Sequence, residues 1–412
     1  MSPQGQRDAP DSAYSWLRLA LSLLLGTIAC VGTWSVVVVL PAVQAEFGTL
    51  RAGASLPYTC VMLGFGFGNI VMGRIADRYG IVVPITGGAI LLAAGYILAG
   101  LSGSLWQFAL AHGLLIGIGG GAGFAPLIAD LSHWFRRHRG LAVVFGASGS
   151  YLAGVIWPQV ITWGLQSHGW RATHIGIGIV ALAVMLPLAP FFRRRPAAET
   201  LAAAEISSAG ARGDLGLSPN RLQGLLALAG FCCCVAMAMP QVHIVAYCGD
   251  LGYGVARGAE MLSLMLFLGI ISRIGSGFVA DRIGGAATLA LGSLMQGLAL
   301  FLYLWFDGLR SLYIVTGIFG LFQGGIVPIY AVIIRDYLPP REAGMRIGIV
   351  MSATIAGMAF GGYVSGLIFD VFASYRMAFL NGLAWNLINL AIVGWLMLKA
   401  KPKLQAASNT AF

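Results

Sequence analysis

The sequence predicts an all-α membrane protein: twelve transmembrane helices in two pseudo-symmetric six-helix bundles. Three observations carry that expectation. The 412 residues are 58% hydrophobic and only 10% charged, with a mean hydropathy of +0.83, whereas a soluble domain carries about 25% charged residues. The apolar runs are about 20 residues long, the length a helix needs to cross a roughly 30 Å hydrocarbon core, and not the alternating ten-residue segments of a barrel. Finally, a motif near residue 77 recurs 204 residues later. Secreted enzymes, nucleic-acid binders and single-span receptors are excluded by this composition, and a lipid bilayer is the implied surrounding.

Cutting the chain at Gly, Pro and charge clusters leaves the spans 16–42, 54–76, 82–101, 104–130, 140–164, 172–192, 222–248, 258–280, 286–305, 309–335, 343–370 and 376–400. Residues 1–15 are polar and no cleavage site follows the first apolar run, so that run reads as the first helix and not as a signal peptide. The polar stretch 193–221, opening on Arg193-Arg194-Arg195, reads as a cytoplasmic linker between a bundle at 1–192 and one at 222–412.

The net charge of +10 tests the count. With both termini cytoplasmic, nineteen of the 25 Lys and Arg residues fall inside, among them Arg18, Arg78, Arg193, Arg335, Arg341 and Arg346. Five fall outside, Arg51, Arg171, Arg257, Arg310 and Arg376, and Arg273 lies within a span. Such a bias supports an even number of helices with both termini inside and explains the excess charge without a nucleic-acid partner; the expected location is the cell (inner) membrane.

Several local patterns read as packing. Cys232, Cys233 and Cys234 point about 100° apart on a helix and cannot converge on one metal, so they read as small buried residues. Gly113 to Pro126 contains a G-x-G-x-x-A run, but no strand precedes it and it lies inside an apolar span. Gly113, Gly117 and Gly121 instead form a small-residue packing face, as do Gly357 and Gly361. No cofactor or metal is expected, and the lack of a nucleophile-base pair argues against an enzyme.

The repeated motif is Gly73-Arg74-Ile75-Ala76-Asp77-Arg78-Tyr79-Gly80 and Gly277-Phe278-Val279-Ala280-Asp281-Arg282-Ile283-Gly284. Asp130, before a basic loop, is likewise echoed by Asp336. A duplicated six-helix unit accounts for both. Here the sequence resembles the major facilitator superfamily, whose loop after the second helix carries this motif. As a conformational gate, Gly73 and Gly277 permit close helix approach. Asp77 and Asp281, each followed by an arginine (Arg78, Arg282), can pair with the N-terminus of a neighbouring helix: the one starting near Arg341 and Gly344 for Asp77, the one near Arg139 for Asp281.

Trp134-Phe135-Arg136-Arg137-His138-Arg139-Gly140-Leu141-Ala142 resembles the fifth-helix motif of monocarboxylate transporters and their bacterial homologues. That family also places an arginine in the middle of the eighth helix, where Arg273 stands. The chain departs from eukaryotic members in having Gly269 where they carry an aspartate, and no lysine before Lys399. What the resemblance implies is a secondary transporter of small monocarboxylates working by alternating access. Proton symport is the expected mode because it avoids moving net charge against the membrane potential.

Arg273 lies eight residues before Asp281, about 12 Å along the helix and close to the midplane. A charge there is costly. A carboxylate substrate would satisfy it bidentately; backbone carbonyls and water are the alternative. His243 and Tyr247, four apart, share a helix face after Pro240. His243 reads either as a donor or proton carrier for substrate or as a packed side chain bonded to a carbonyl. Trp34, Tyr151, Ser272, Gln323 and Tyr330 join the candidates because the family places its cavity between these helices. An efflux transporter for neutral or anionic compounds is the alternative function, and a monomer is the expected state.

Overall fold

The computed structural model describes residues 10–48, 56–195 and 198–400; Arg51, placed outside above, and Arg7, Lys401 and Lys403, counted among the nineteen inside, lie beyond them. The described residues form helices: α1 (Ala13–Ala29), α2 (Gly32–Phe47), α3 (Leu56–Tyr79), α4 (Val82–Gly100), α5 (Leu105–Leu110), α6 (Ile118–Gly121), α7 (Ala125–Trp134), α8 (Arg139–Ala147) and α9 (Gly149–Leu188). They continue with α10 (Ala198–Leu215), α11 (Pro219–Asp250), α12 (Val255–Ile283), α13 (Gly285–Tyr303), α14 (Leu309–Gln323), α15 (Ile326–Tyr337), α16 (Ala343–Phe372) and α17 (Tyr375–Ala400). A π-helical turn, Ala111–Gly117, joins α5 to α6.

Eleven stretches among the described residues are long and apolar enough to span a membrane, and one of them, Arg139–Phe192, runs for 54 residues. At 1.5 Å per residue that is about 80 Å, more than twice the hydrocarbon thickness. It turns at Gly169, whose φ of 76° is open to glycine, so it supplies the fifth and sixth passes and the total is twelve.

The chain divides into two compact units, 1–203 with 340–352, and 204–339 with 353–412. The division therefore falls inside α10 and again inside α16. The stretch expected to be a linker holds α10, whose AETLAAAE opening is rich in strong helix formers.

Inside the first unit the third pass (α4) packs on the sixth (the end of α9), and the second (α3) on the fourth (the π turn and α6). The second unit repeats the scheme: α13 packs on α17, and α12 on α14. The motif copies end their helices in the same way. Gly80 (φ 91°) and Gly284 (φ 85°) both take left-handed backbone, and each donates its N–H to the carbonyl four residues back, Ala76 at 2.8 Å and Ala280 at 2.9 Å.

The small-residue faces do what their spacing implies. Gly64 and Gly113 approach until a Cβ on Gly64 would overlap the Gly113 carbonyl, and a Cβ on Gly121 would overlap the backbone of Gly68. In the second unit Gly357 and Gly361 rest on the carbonyls of Phe231 and Val235. Cys232, Cys233 and Cys234 are buried free thiols, and among the described residues no group of three or more potential metal ligands converges.

Three arginines counted with the cytoplasmic charges lie inside the helical spans and are buried. Arg18 is 1% exposed. Its Nε and Nη2 donate to the Asp130 carboxylate at 2.6 and 2.8 Å, Nη1 to the Tyr14 hydroxyl at 2.7 Å, and its guanidinium lies over the Trp134 and Phe192 rings. Arg346 pairs with Glu342 at 2.6 Å, and Arg335 is buried in α15. A basic residue close to a loop in sequence can still turn inward when an acid waits on another helix, and Asp130 is 112 residues from Arg18.

Candidate functional site

Two passes, one in each unit, are broken at their centres by glycines. In the first unit the chain leaves α6 at Gly121 and re-enters a helix at Ala125; in the second it leaves α14 at Gln323 and re-enters at Ile326. Such breaks free backbone N–H groups deep in the apolar layer, where each needs a partner. In the first unit Asn69 supplies it: its Oδ1 accepts the Ala125 N–H at 3.0 Å, while its Nδ2 donates to the Phe65 carbonyl at 2.8 Å. In the second, Ser272 Oγ accepts the Gly325 N–H at 3.1 Å.

The 204-residue offset of the two motif copies brings the breaks to within about two residues of one another and sets the residues facing them in register. Gly68, packed on Gly121, corresponds to Ser272 on Gly325, and Asn69 corresponds to Arg273. The second unit therefore carries a guanidinium where the first carries a structural amide, and gives the repair of the broken helix to the preceding serine. Arg273 is 4% exposed. It lies 13 residues from Glu260 and ten from Ile283, the ends of its apolar stretch, or about 20 and 15 Å, which is mid-depth. Ser276 Oγ donates to the Arg273 carbonyl at 2.8 Å, and Gly324 lies against the Gly269 carbonyl.

The other candidates are placed as follows. Gln323 is buried, and its Oε1 accepts from Gln241 Nε2 at 3.4 Å. Tyr330 is fully buried and donates to Asn389 Oδ1 at 2.9 Å; Asn389 donates in turn to Ser293 Oγ at 2.7 Å. That chain ties α15, α17 and α13 together. His243 donates from Nε2 to the Gly362 carbonyl at 2.9 Å, which is the packed arrangement considered above, and Tyr247 is buried against the rings of Tyr375 and Phe379. The second unit thus gathers Ser272, Arg273, Gln323 and Gln241 around one helix break, and holds His243 and Tyr247 with α16 and α17 side chains. In the first unit Trp34 donates from Nε1 to the Ser150 carbonyl at 3.3 Å with its ring over Gly154, and Tyr151 is half-buried one residue along.

At one end of the first unit the motif residues form a clasp. Asp77 Oδ1 and Oδ2 accept the N–H groups of Gly344 and Met345 at 2.9 and 2.8 Å, so the carboxylate caps the start of α16. Gly73 lies directly on the Gly344 carbonyl and Gly348 on that of Asn69. Arg78 is exposed, its guanidinium 5.3 Å from the Tyr79 ring centre. In the second unit Gly277 is buried while Asp281 and Arg282 are exposed at the end of α12.

Sequence reasoning missed Asn69 and Asn389, and it sets Gln241 aside as too far round the helix from His243 to share a cavity with it. The first had a readable signal, since it occupies the position of Arg273 in the other motif copy.

Comparison with known proteins agrees with this architecture. The family model of the Major Facilitator Superfamily matches residues 22–316 and 261–411. Monocarboxylate transporter 13 of Bos taurus is 26% identical over 386 residues, covering 90% of this chain and 87% of that protein. The fujikurins efflux protein of Gibberella fujikuroi is 29% identical over 304 residues, 72% of this chain and 63% of that protein. Among solved structures, the transporter FucP in its outward conformation superposes with a TM-score of 0.70 at 16% identity, covering 93% of this chain and 99% of that one. The twelve passes, the duplicated six-helix scheme and the matched family model together place this chain in the major facilitator superfamily, as a membrane transporter and not an enzyme.

Proposed function

We propose that the chain is a secondary active transporter of small monocarboxylate anions, working by alternating access with a co-transported proton. The observation that carries this reading is Arg273: a guanidinium at mid-depth, beside a broken helix, at the position where the other repeat keeps only a structural amide. Half-helices broken near the midplane, with polar groups gathered at the break, are how transporters of this kind build substrate sites. The planar donor fork of arginine matches a carboxylate, and the relative named a monocarboxylate transporter spans most of the chain.

In this reading Ser272 and Gln323 fix the geometry around Arg273. Trp34, Tyr151, Tyr247 and Tyr330 shape or support the walls. The proton travels on His243 or on the substrate carboxyl itself. Asp77 on the N-terminus of α16 is the clasp of one conformational state, with Gly73 allowing the close approach. Gly277, Asp281 and Arg282 are its counterpart in the second copy. The protein acts as a monomer in the cell (inner) membrane, both termini cytoplasmic, its bundles at 1–192 and 222–412 joined through 193–221.

Export of anionic or neutral compounds is the second reading, favoured by the relatives named as efflux proteins. Counterflow in proteoliposomes separates the two. Preloaded unlabelled lactate or pyruvate should accelerate entry of the labelled acid, and an inwardly directed proton gradient should drive net uptake. Efflux of a dye or large organic anion with no carboxylate counterflow would favour the second.

A further inference from the structure

Five arginines from three distant stretches of sequence meet at one end of the first unit. Arg78 lies at the end of α3, Arg193, Arg194 and Arg195 follow the turn after α9, and Arg341 precedes α16. Together they line a cavity of about 430 Å³, with Asp77 and Asp130 in its wall. Both aspartates already have partners, Asp130 in Arg18 and Asp77 in the amides of Gly344 and Met345. Arg18 and Asp130 cancel, and the five arginines outweigh the one charge of Asp77, so the cavity is net positive.

Topology alone does not require this. The bias toward basic loops on one side is satisfied by arginines anywhere in those loops, not by their convergence on one concavity of ligand size. Guanidinium groups converging from several segments match the oxygens of a phosphate ester, each presenting a planar pair of donors.

We propose that this cavity binds the phosphate group of an anionic phospholipid. The surroundings favour a lipid source over free phosphate. Val83 on α4 and Leu186 and Phe191 around the end of α9 are exposed apolar side chains. Gly178 of α9 lies against Ala93 of α4 while Gly100 meets Arg171, so the two helices run antiparallel and those three side chains share the arginine end. Tyr79 and Trp16, exposed aromatics of the kind that sit at headgroup level, belong to the same unit. A charged head between helices with an apolar flank beside it is the form of an anionic-lipid site. Arg78 follows Asp77 and Arg341 precedes Gly344, so the bound headgroup touches the two segments that the clasp joins.

The test uses the full-length protein, delipidated in detergent and titrated with phosphatidylglycerol, phosphatidylcholine or inorganic phosphate, with bound species read by native mass spectrometry. The wild type should retain phosphatidylglycerol in preference to phosphatidylcholine, and millimolar phosphate should not displace it. About 1 kcal/mol per basic residue is roughly fivefold in affinity. The triple variant Arg193→Gln/Arg195→Gln/Arg341→Gln should therefore bind about 100-fold more weakly, and the matching Arg→Lys variant, which keeps the charge but not the fork, should fall between it and the wild type. Arg136→Gln/Arg137→Gln/Arg221→Gln, which removes the same charge away from the cavity, should change little. If the triple variant does not fold, Arg193→Gln and Arg341→Gln singly, each about fivefold weaker, carry the test. Equal retention of the two lipids, equal loss in both triple variants, or binding of inorganic phosphate without lipid would each overturn the assignment.

Discussion

Replacing Asp130 by leucine should destabilise the first unit sharply, while replacing both Asp130 and Arg18 by apolar residues should not. Arg18 is 1% exposed and Asp130 is its bidentate partner. Removing one member of a buried pair costs about 3–5 kcal/mol, because it leaves the other charge without compensation. Here the guanidinium would keep the Tyr14 hydroxyl at 2.7 Å and the carbonyls of Phe192 and Arg194 at 3.3 and 3.4 Å, which places the loss at the low end, about 3 kcal/mol. For a unit of this size each kcal/mol moves Tm by about 2–4 °C, so Asp130→Leu should lower the apparent Tm in detergent by about 6–12 °C. Arg18→Met/Asp130→Leu removes both charges and their desolvation together, and should return to within about 3 °C of wild type. An Asp130→Leu protein within 2 °C of wild type, or a double variant no better than the single, would refute the reasoning.

Two further outcomes follow from the packing and from the far end of the first unit. Gly64→Ala should lower the apparent Tm by about 2–12 °C, because the new methyl overlaps the Gly113 carbonyl and overpacking costs about 1–3 kcal/mol. Gly87→Ala, where nothing lies within 4 Å, should shift it by less than about 2 °C in the same thermal scan. At the other end, Arg171 and the Trp170 indole N–H hold the Glu46 carboxyl below the usual carboxylate range. A depressed carboxylate pKa stabilises the fold above the unfolded value and loses that contribution as pH falls through the folded one. Between pH 7 and 3 the wild type should therefore lose more stability than Glu46→Gln, by no more than about 1 kcal/mol since the Glu46 side chain is 42% exposed. Identical acid profiles would remove the link.

Much of this was legible because the features concerned are local or repeated. The spacing of Gly113, Gly117 and Gly121 specifies a close crossing whichever helix fills it. Asp77 at a helix end seeks a helix N-terminus, and the one near Gly344 is where the structure places it. The two motif glycines end their helices alike because the same short sequence meets the same steric rule. Other features depend on distant partners. Arg18 is one more cytoplasmic-side charge until Asp130 is brought beside it, and Tyr330 looks like a cavity residue until Asn389 takes its hydroxyl. The spans are apolar on all sides, so periodicity does not separate a lipid-facing residue from one facing its own bundle. The break at Gly324 and Gly325 has no distinct sequence signal, since a paired glycine inside an apolar run resembles a packing face. Only the 204-residue register, setting Asn69 against Arg273, shows that the two repeats treat that break differently.

The reading of Arg273 as the anion anchor is tested most directly by proton-gradient-driven uptake of labelled lactate into proteoliposomes. Wild type, Arg273→Gln and Arg273→Lys should be compared at matched reconstitution. A hydrogen bond to a charged group contributes about 1.5–3 kcal/mol, so Arg273→Gln should reduce uptake by about 10- to 150-fold at subsaturating substrate. Arg273→Lys, which keeps the charge but not the fork, should fall between the two. Uptake by Arg273→Gln equal to that of the wild type would contradict the account.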